Sequence, residues 1–228
     1  MVHVYSLDIG NLTFEKLLKD FENTVDPEVI EKATLYKQPG DKLRSFSSAL
    51  LLRWALKNNY NIDHPGLFPC SENGKPYHMK NGHEFNISHS RNRVTVATSD
   101  FPIGIDVEYL RKNKLKVAEH FFSPYEIEKI ENAADKDSCF TTYWCIKESF
   151  LKYTGKGLTS PLNSFTVVEN QDHFKIKENN KENKEVSIRY LHDEHDYFYA
   201  VCHNASEEFS NIESITYSEL FELIKQKS

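Results

Sequence analysis

The chain has 228 residues, of which 39% are hydrophobic and 13% aromatic, and a formal net charge of −6. That composition excludes a disordered chain, and the length is enough to bury one large core or two small ones. The acidic balance argues against nucleic acid as a partner, and no run of about 18 apolar residues exists to span a membrane.

Residues 2–9 alternate like a strand, and the amino terminus lacks the basic region and apolar core of a signal peptide. Thr13 is placed to cap a helix to about Glu22, with Phe14, Leu17, Leu18 and Phe21 on its buried stripe. Asp26-Pro27 starts a second helix reaching about Tyr36. Pro39-Gly40-Asp41 reads as a break, followed by an amphipathic helix through Leu43, Phe46, Leu50 and Trp54 to Asn58-Asn59. Residues 71–76 form a turn cluster. Short strands at 84–88 and 93–98 flank a His-Ser-Arg-Asn turn, and a third carries Ile103 to Glu108. Ser123-Pro124-Tyr125-Glu126 is a capping box; Asp137 opens the next helix and Gly155 ends it. The remainder reads as strands at 164–169, 173–178, 185–191 and 196–203, with a short helix from Ser218. Helices followed by strands, twice, predict an α+β protein of two halves, 1–101 and 102–228. Cys70, Cys139, Cys145 and Cys202 form no CxxC pair and no zinc spacing, so they read as reduced thiols of a cytoplasmic protein.

Two stretches carry the chemistry. Ile103, Ile105 and Val107 alternate with Gly104, Asp106 and Glu108, which puts both carboxylates on one strand face. Trp144, Glu148 and Lys152 stand four residues apart on a helix and share one side. If strand and helix pack together, three carboxylates converge beside a lysine. That is a hard-oxygen site suited to Mg²⁺, which takes one or two carboxylates and shares its other positions with water and substrate phosphate.

Each part also has an ordinary reading. An acidic strand face is commonly solvated. Glu four residues before Lys is a favourable helix pair worth roughly 0.2–0.5 kcal/mol. Trp144 fits a core. Gly104 tempers the solvated-face reading, because a strand glycine often marks close approach of a ligand or backbone. Phe85-Asn86-Ile87-Ser88-His89-Ser90 ends a strand in hydrogen-bonding side chains before Arg91, either a phosphate-binding place or a turn held by its own side chains. Lys32, Arg44 and the lysine of Gly74-Lys75-Pro76 add cations that alone read as surface. No G-x-S-x-G elbow, P-loop or G-x-G-x-x-G is present.

Taken in order and with their spacings, these segments resemble the 4′-phosphopantetheinyl transferase superfamily, in its surfactin-synthetase-activating branch. The match runs from about Pro27 to Phe165: Arg44, Gly74-Lys75-Pro76, Phe85 to Ser90, Gly104-Ile105-Asp106-Val107-Glu108, Phe121-Phe122-Ser123, Trp144-x-x-Lys147-Glu148-Ser149 with Lys152, and Gly155-Lys156-Gly157. The resemblance implies a pseudo-dimeric α+β fold with the active site in the cleft between two similar halves, and therefore a monomer. It implies transfer of 4′-phosphopantetheine from coenzyme A to a serine of an apo acyl or peptidyl carrier protein.

By matching positions, Asp106, Glu108 and Glu148 would hold Mg²⁺ (or Mn²⁺), and Glu148 would be the general base. Lys152 would bind the pyrophosphate, and Ser88 and His89 the coenzyme A phosphates, with His89 favouring the phosphorylated 3′ position. Lys32, Arg44 and Lys75 would make further nucleotide contacts. The family carries more basic residues on the helix from Pro27, where this chain has only Lys32. An acidic carrier would meet Arg111, Lys112, Lys114, Lys116, Phe121 and Phe122, or that stretch is a connector whose phenylalanines are core. Two other readings stand beside the transferase. One is a coenzyme A- or carrier-binding relative without catalysis, which does not need all three acids and Lys152. The other is an unrelated Mg²⁺-dependent phosphohydrolase, which leaves the His89 and Trp144 segments unexplained.

Overall fold

The computed structural model describes the chain apart from residues 65, 72–75, 77–81, 157–159, 171–172 and 226–228. The first half builds β1 (Val2–Asp8), α1 (Phe14–Phe21), α2 (Pro27–Thr34), α3 (Pro39–Tyr60), β2 (Glu84–Ser90) and β3 (Arg93–Ser99). The second builds β4 (Ile103–Tyr109), α4 (Leu115–Phe121), α5 (Pro124–Asn132), α6 (Lys136–Thr154), β5 (Phe165–Asn170), β6 (His173–Glu178), β7 (Lys181–Glu182), β8 (Val186–His192), β9 (Tyr197–Asn204), β10 (Phe209–Ile215) and α7 (Tyr217–Lys225). The architecture is α+β. In each half one long helix packs on a sheet, α3 on β2 and β3, and α6 on β4 and β9.

Local chemistry explains the boundaries. Thr13 Oγ1 accepts from Lys16 N at α1, and Ser123 with Glu126 makes the reciprocal capping box of α5. Pro39 does not break the chain. It occupies the first turn of α3, where its missing N–H costs nothing, and Asn61 ends that helix with a left-handed φ of 55°. Asp135, not Asp137, caps α6 by accepting from Ser138 N at 3.0 Å. The strand before Arg91 runs on through His89 and Ser90, leaving only Arg91 and Asn92 in the turn. Residues 115–121 form a helix, and the strand at 209–215 was not foreseen.

Among the described residues three sheets result, ordered β10-β1-β3-β2, β4-β9-β8 and β5-β6-β7. β10 runs parallel to β1, and Trp54 Nε1 on α3 donates to the Glu219 carbonyl of α7. Ile215, Leu220 and Ile224 join the first-half core around Phe21, Phe46 and Leu50. Residues 209–225 therefore pack with the first half, although they follow the second in sequence. A separate core around Phe140, Ile146, Phe150 and Phe198 fills the second half. Val2, Val4, Ala97, Ile103, Ile105 and Val201 form a third cluster joining the two.

β2 meets β4 through side chains. One edge of β4 pairs with β9. On the other, the N–H groups of Ile105, Val107 and Tyr109 donate to Asn86 Oδ1 at 2.9 Å, Ser88 Oγ at 3.2 Å and Ser90 Oγ at 3.0 Å. Period-2 geometry puts these three side chains on one face of β2, matching the alternate N–H groups of an open strand edge. The polar residues thereby close an edge that would otherwise template another strand.

Candidate active site where the two halves meet

The junction of β2, β4 and α6 gathers the residues singled out in sequence. Gly104 makes this possible. A Cβ there would overlap the Ser149 carbonyl oxygen and the Tyr153 nitrogen, so only glycine lets α6 lie directly on β4. The close approach is backbone, not ligand. It brings the Trp144–Glu148–Lys152 side of α6 against the Asp106 and Glu108 face of β4.

Asp106 is 4% exposed. Its Oδ1 accepts from Ser88 Oγ at 2.8 Å and from Lys152 Nζ at 2.7 Å. Its Oδ2 is buried without a hydrogen-bond partner. Lys152 spends all three donors, on Asp106, on Ser88 Oγ at 3.0 Å and on the Ile105 carbonyl at 3.0 Å. Ser88 donates to Asp106 and accepts from Val107 N and Lys152, which fills its hydroxyl. The residue assigned to phosphate is thus occupied in holding the acid and the lysine.

Glu108 is half-buried, takes a hydrogen bond from Ser90 Oγ at 3.3 Å, and pairs with Arg111. Desolvation and then the Asp106 charge push its pKa up, against the pull of Arg111. Glu148, also half-buried, is pushed up by desolvation and next by Asp106, with Lys152 opposing. The three acids are therefore close enough to repel one another. Among the described residues, however, no three His, Cys, Asp or Glu side chains are gathered tightly enough to hold a metal ion as they stand.

A cavity of about 400 Å³ opens onto Asp106 and Lys152. Its wall includes Lys32, Tyr36, Ser48, Leu67, Phe68, Ser88 and His89, so it joins a polar floor, the Lys152–Asp106 pair, to a lysine and apolar sides. His89 keeps an exposed outer face, yet desolvation in the wall, followed by Arg44 and Lys152, pushes its pKa down. Arg44 does not line the cavity; it pairs with Asp41 and donates to the Arg91 carbonyl at 3.1 Å. Lys75 lies outside the described residues. Glu108 and Glu148 stand beyond the wall, on the same β4–α6 contact.

The sequence offers Phe122 either to a docking surface or to the core. It is core, 4% exposed and stacked on Phe140, whereas Phe121 is 47% exposed. Arg111 at the acid cluster and the apolar wall of Leu67 and Phe68 are additions from the structure. The alternation Asn86-x-Ser88-x-Ser90 was a usable signal for the β2–β4 contact; the apolar wall carried none.

The family model described as the 4′-phosphopantetheinyl transferase superfamily matches residues 102–202, which include Asp106, Glu108, Glu148 and Lys152. A Bacillus subtilis protein named 4′-phosphopantetheinyl transferase is 34% identical over 201 residues, covering 86% of this chain and 89% of its own length. The 4′-phosphopantetheinyl transferase gsp of Aneurinibacillus migulanus is 34% identical over 184 residues, covering 79% of this chain and 77% of its own. The transferase Sfp of Bacillus subtilis strain 168 is 37% identical over 158 residues, covering 67% and 70%. With a third of the aligned residues identical across most of both chains, the chain belongs to the 4′-phosphopantetheinyl transferase superfamily.

Proposed function

We propose that this chain moves 4′-phosphopantetheine from coenzyme A to the serine hydroxyl of an apo acyl or peptidyl carrier protein. The observation that carries this is Asp106, Ser88 and Lys152 locked together at the floor of a nucleotide-sized cavity. The serine oxygen attacks the pantetheine-side phosphorus, the bond to the nucleotide-side phosphate breaks, and adenosine 3′,5′-bisphosphate leaves. Lys152 neutralises charge on the pyrophosphate, and Glu148 takes the serine proton. Lys32 and His89 in the cavity wall face the nucleotide phosphates, while Arg44, paired with Asp41, stands outside the wall.

The donor chemistry of Asp106, Glu108 and Glu148 suits a divalent cation, which would have to draw the three carboxylates closer than they stand. The donors are hard oxygens, Asp106 Oδ2 is buried and unpartnered, and the carboxylates repel one another without one. Asp106, Glu108 and Glu148 would hold Mg²⁺, or Mn²⁺, which accepts the same donors. Bound there, the ion supplies charge neutralisation for the leaving group. Exposed Lys112, Lys114 and Lys116 with Phe121 offer an acidic carrier a complementary surface. No helix among the described residues is long and apolar enough to cross a membrane. The two halves supply both sides of the site within one chain, so a monomer suffices.

The test is intact-protein mass spectrometry of an apo carrier incubated with the chain, coenzyme A and Mg²⁺. A mass gain of one phosphopantetheine is expected, abolished by EDTA and by Asp106→Ala. No gain with several carrier types, while coenzyme A still binds, would replace catalysis with binding alone.

A further inference from the structure

We propose that Arg111 is a positioning residue of the acid cluster, holding Glu108 in the metal-free chain and giving up that carboxylate when a divalent cation binds. The inference rests on the metal reading of Asp106, Glu108 and Glu148 given above.

Three contacts and one unmet donor define the residue. Its guanidinium pairs with Glu108. The same group lies over the Trp144 indole, 4.7 Å from the ring centroid. Its backbone N–H donates to Thr141 Oγ1 at 3.0 Å, which ties it to the first turns of α6. Its Nε is buried without a hydrogen-bond partner. The guanidinium thus satisfies the carboxylate while one of its own donors goes unmet, the mark of a contact that can be exchanged.

Charge decides which cation exchanges. Three carboxylates face two cations, Lys152 and Arg111. Lys152 is fixed by three hydrogen bonds, to Ser88, Ile105 and Asp106. Among the described residues Arg111 has one ion-pair partner, and it has an indole face on which it can remain after that partner leaves. A metal and Arg111 that compete for one carboxylate are linked, and each weakens the other by the same factor. Removing Arg111 should therefore tighten metal binding, whereas loss of a merely structural residue would loosen it.

The experiment titrates the full chain with Mn²⁺ alone, without coenzyme A, and reads free Mn²⁺ by electron paramagnetic resonance. Arg111→Gln is expected to bind Mn²⁺ about fivefold more tightly or better. Arg111→Lys, which keeps the charge but not the planar fork, is expected between the two and serves if the glutamine variant folds poorly. Mn²⁺ should also change tryptophan emission in the parent chain, as the guanidinium shifts on Trp144, and change it less in the glutamine variant. Unchanged or weaker Mn²⁺ binding by both variants, with a parent chain that binds, overturns the role of Arg111 and leaves the metal reading standing. A parent chain that binds no Mn²⁺ overturns the metal reading and this inference with it.

Discussion

Ser88 and Asp106 belong to different sheets, yet the Ser88 hydroxyl donates to Asp106 Oδ1 at 2.8 Å while accepting from the next backbone N–H of the same strand, that of Val107. One small side chain thus sets both the register of β4 against β2 and the orientation of the acid. Ser88→Ala leaves the buried Val107 N–H unpaired and removes one of the two bonds on Oδ1. The expected stability loss is about 1–3 kcal/mol. The expected fall in kcat is roughly 10–100-fold, with the Kd of coenzyme A within about twofold of the parent. Steady-state kinetics beside calorimetric coenzyme A binding checks this. A large rise in Kd with kcat preserved would instead make Ser88 a phosphate ligand.

Glu148 ties activity to instability. Its pKa is raised in the folded chain, chiefly by desolvation and next by Asp106. Between the ordinary carboxylate pKa and that raised value, the folded state binds more protons than the unfolded one. Stability therefore falls as pH rises through that window, and above it the charged group opposes folding. Glu148→Gln should raise the Tm of the metal-free chain at pH 7 and have little effect on it at pH 4. The same variant should abolish transfer, because the base is gone. Thermal unfolding at the two pH values decides the matter; a Tm lowered at pH 7 would mean that the Glu148 charge is stabilised in the fold.

Most of the site could be read in the sequence because its side chains sit on regular elements. Period 2 on β4 and period 3.6 on α6 are enough to put Asp106 and Glu108 on one face and Glu148 and Lys152 on another, and Gly104 announces that the two faces touch. What could not be read has two causes. Arg111 and Arg44 each pair with an acid three residues back, Glu108 and Asp41, but spacing alone does not choose such a pairing over solvent. The Arg91 carbonyl reaches Arg44, and Leu67 and Phe68 reach the cavity, only through contacts distant in sequence. The strand at 209–215 was lost for a similar reason. It is an edge strand with only Ile215 buried, so its burial pattern is weak, and its partner β1 is at the other end of the chain.

His89 should couple nucleotide binding to protons. Desolvation, Arg44 and Lys152 lower its pKa, so at neutral pH the empty site holds neutral imidazole. A phosphate brought beside the ring favours the imidazolium and raises that pKa, so binding takes up a proton and affinity rises as pH falls. The preference for coenzyme A over its 3′-dephospho form should be larger at pH 6 than at pH 8. His89→Gln should flatten that difference. Calorimetry of both ligands at both pH values, with each variant, measures it. A preference independent of pH in the parent chain would remove His89 from the 3′-phosphate.

Lys147, the neighbour of Glu148 in sequence, points the other way, into the core. Its Nζ donates to Glu126 Oε1 at 2.6 Å and to the Phe165 carbonyl at 2.9 Å, and both charged side chains are 0% exposed. Glu126 also accepts from Ser123 N and Val167 N at 2.7 Å each, so one carboxylate joins α5, α6 and β5. Breaking such a pair leaves a charge buried without its partner. Lys147→Met alone should cost about 3–5 kcal/mol, or roughly 6–20 °C in Tm for a chain of this size. Adding Glu126→Gln removes the stranded charge and should recover part of that loss, with a coupling of about 2 kcal/mol in the double-mutant cycle. Activity separates the two uses of the pair. If the bonds from Lys147 and Glu126 fix where α6 lies, and with it Glu148, the double variant regains Tm while its kcat stays low. If the pair serves stability alone, kcat returns together with Tm.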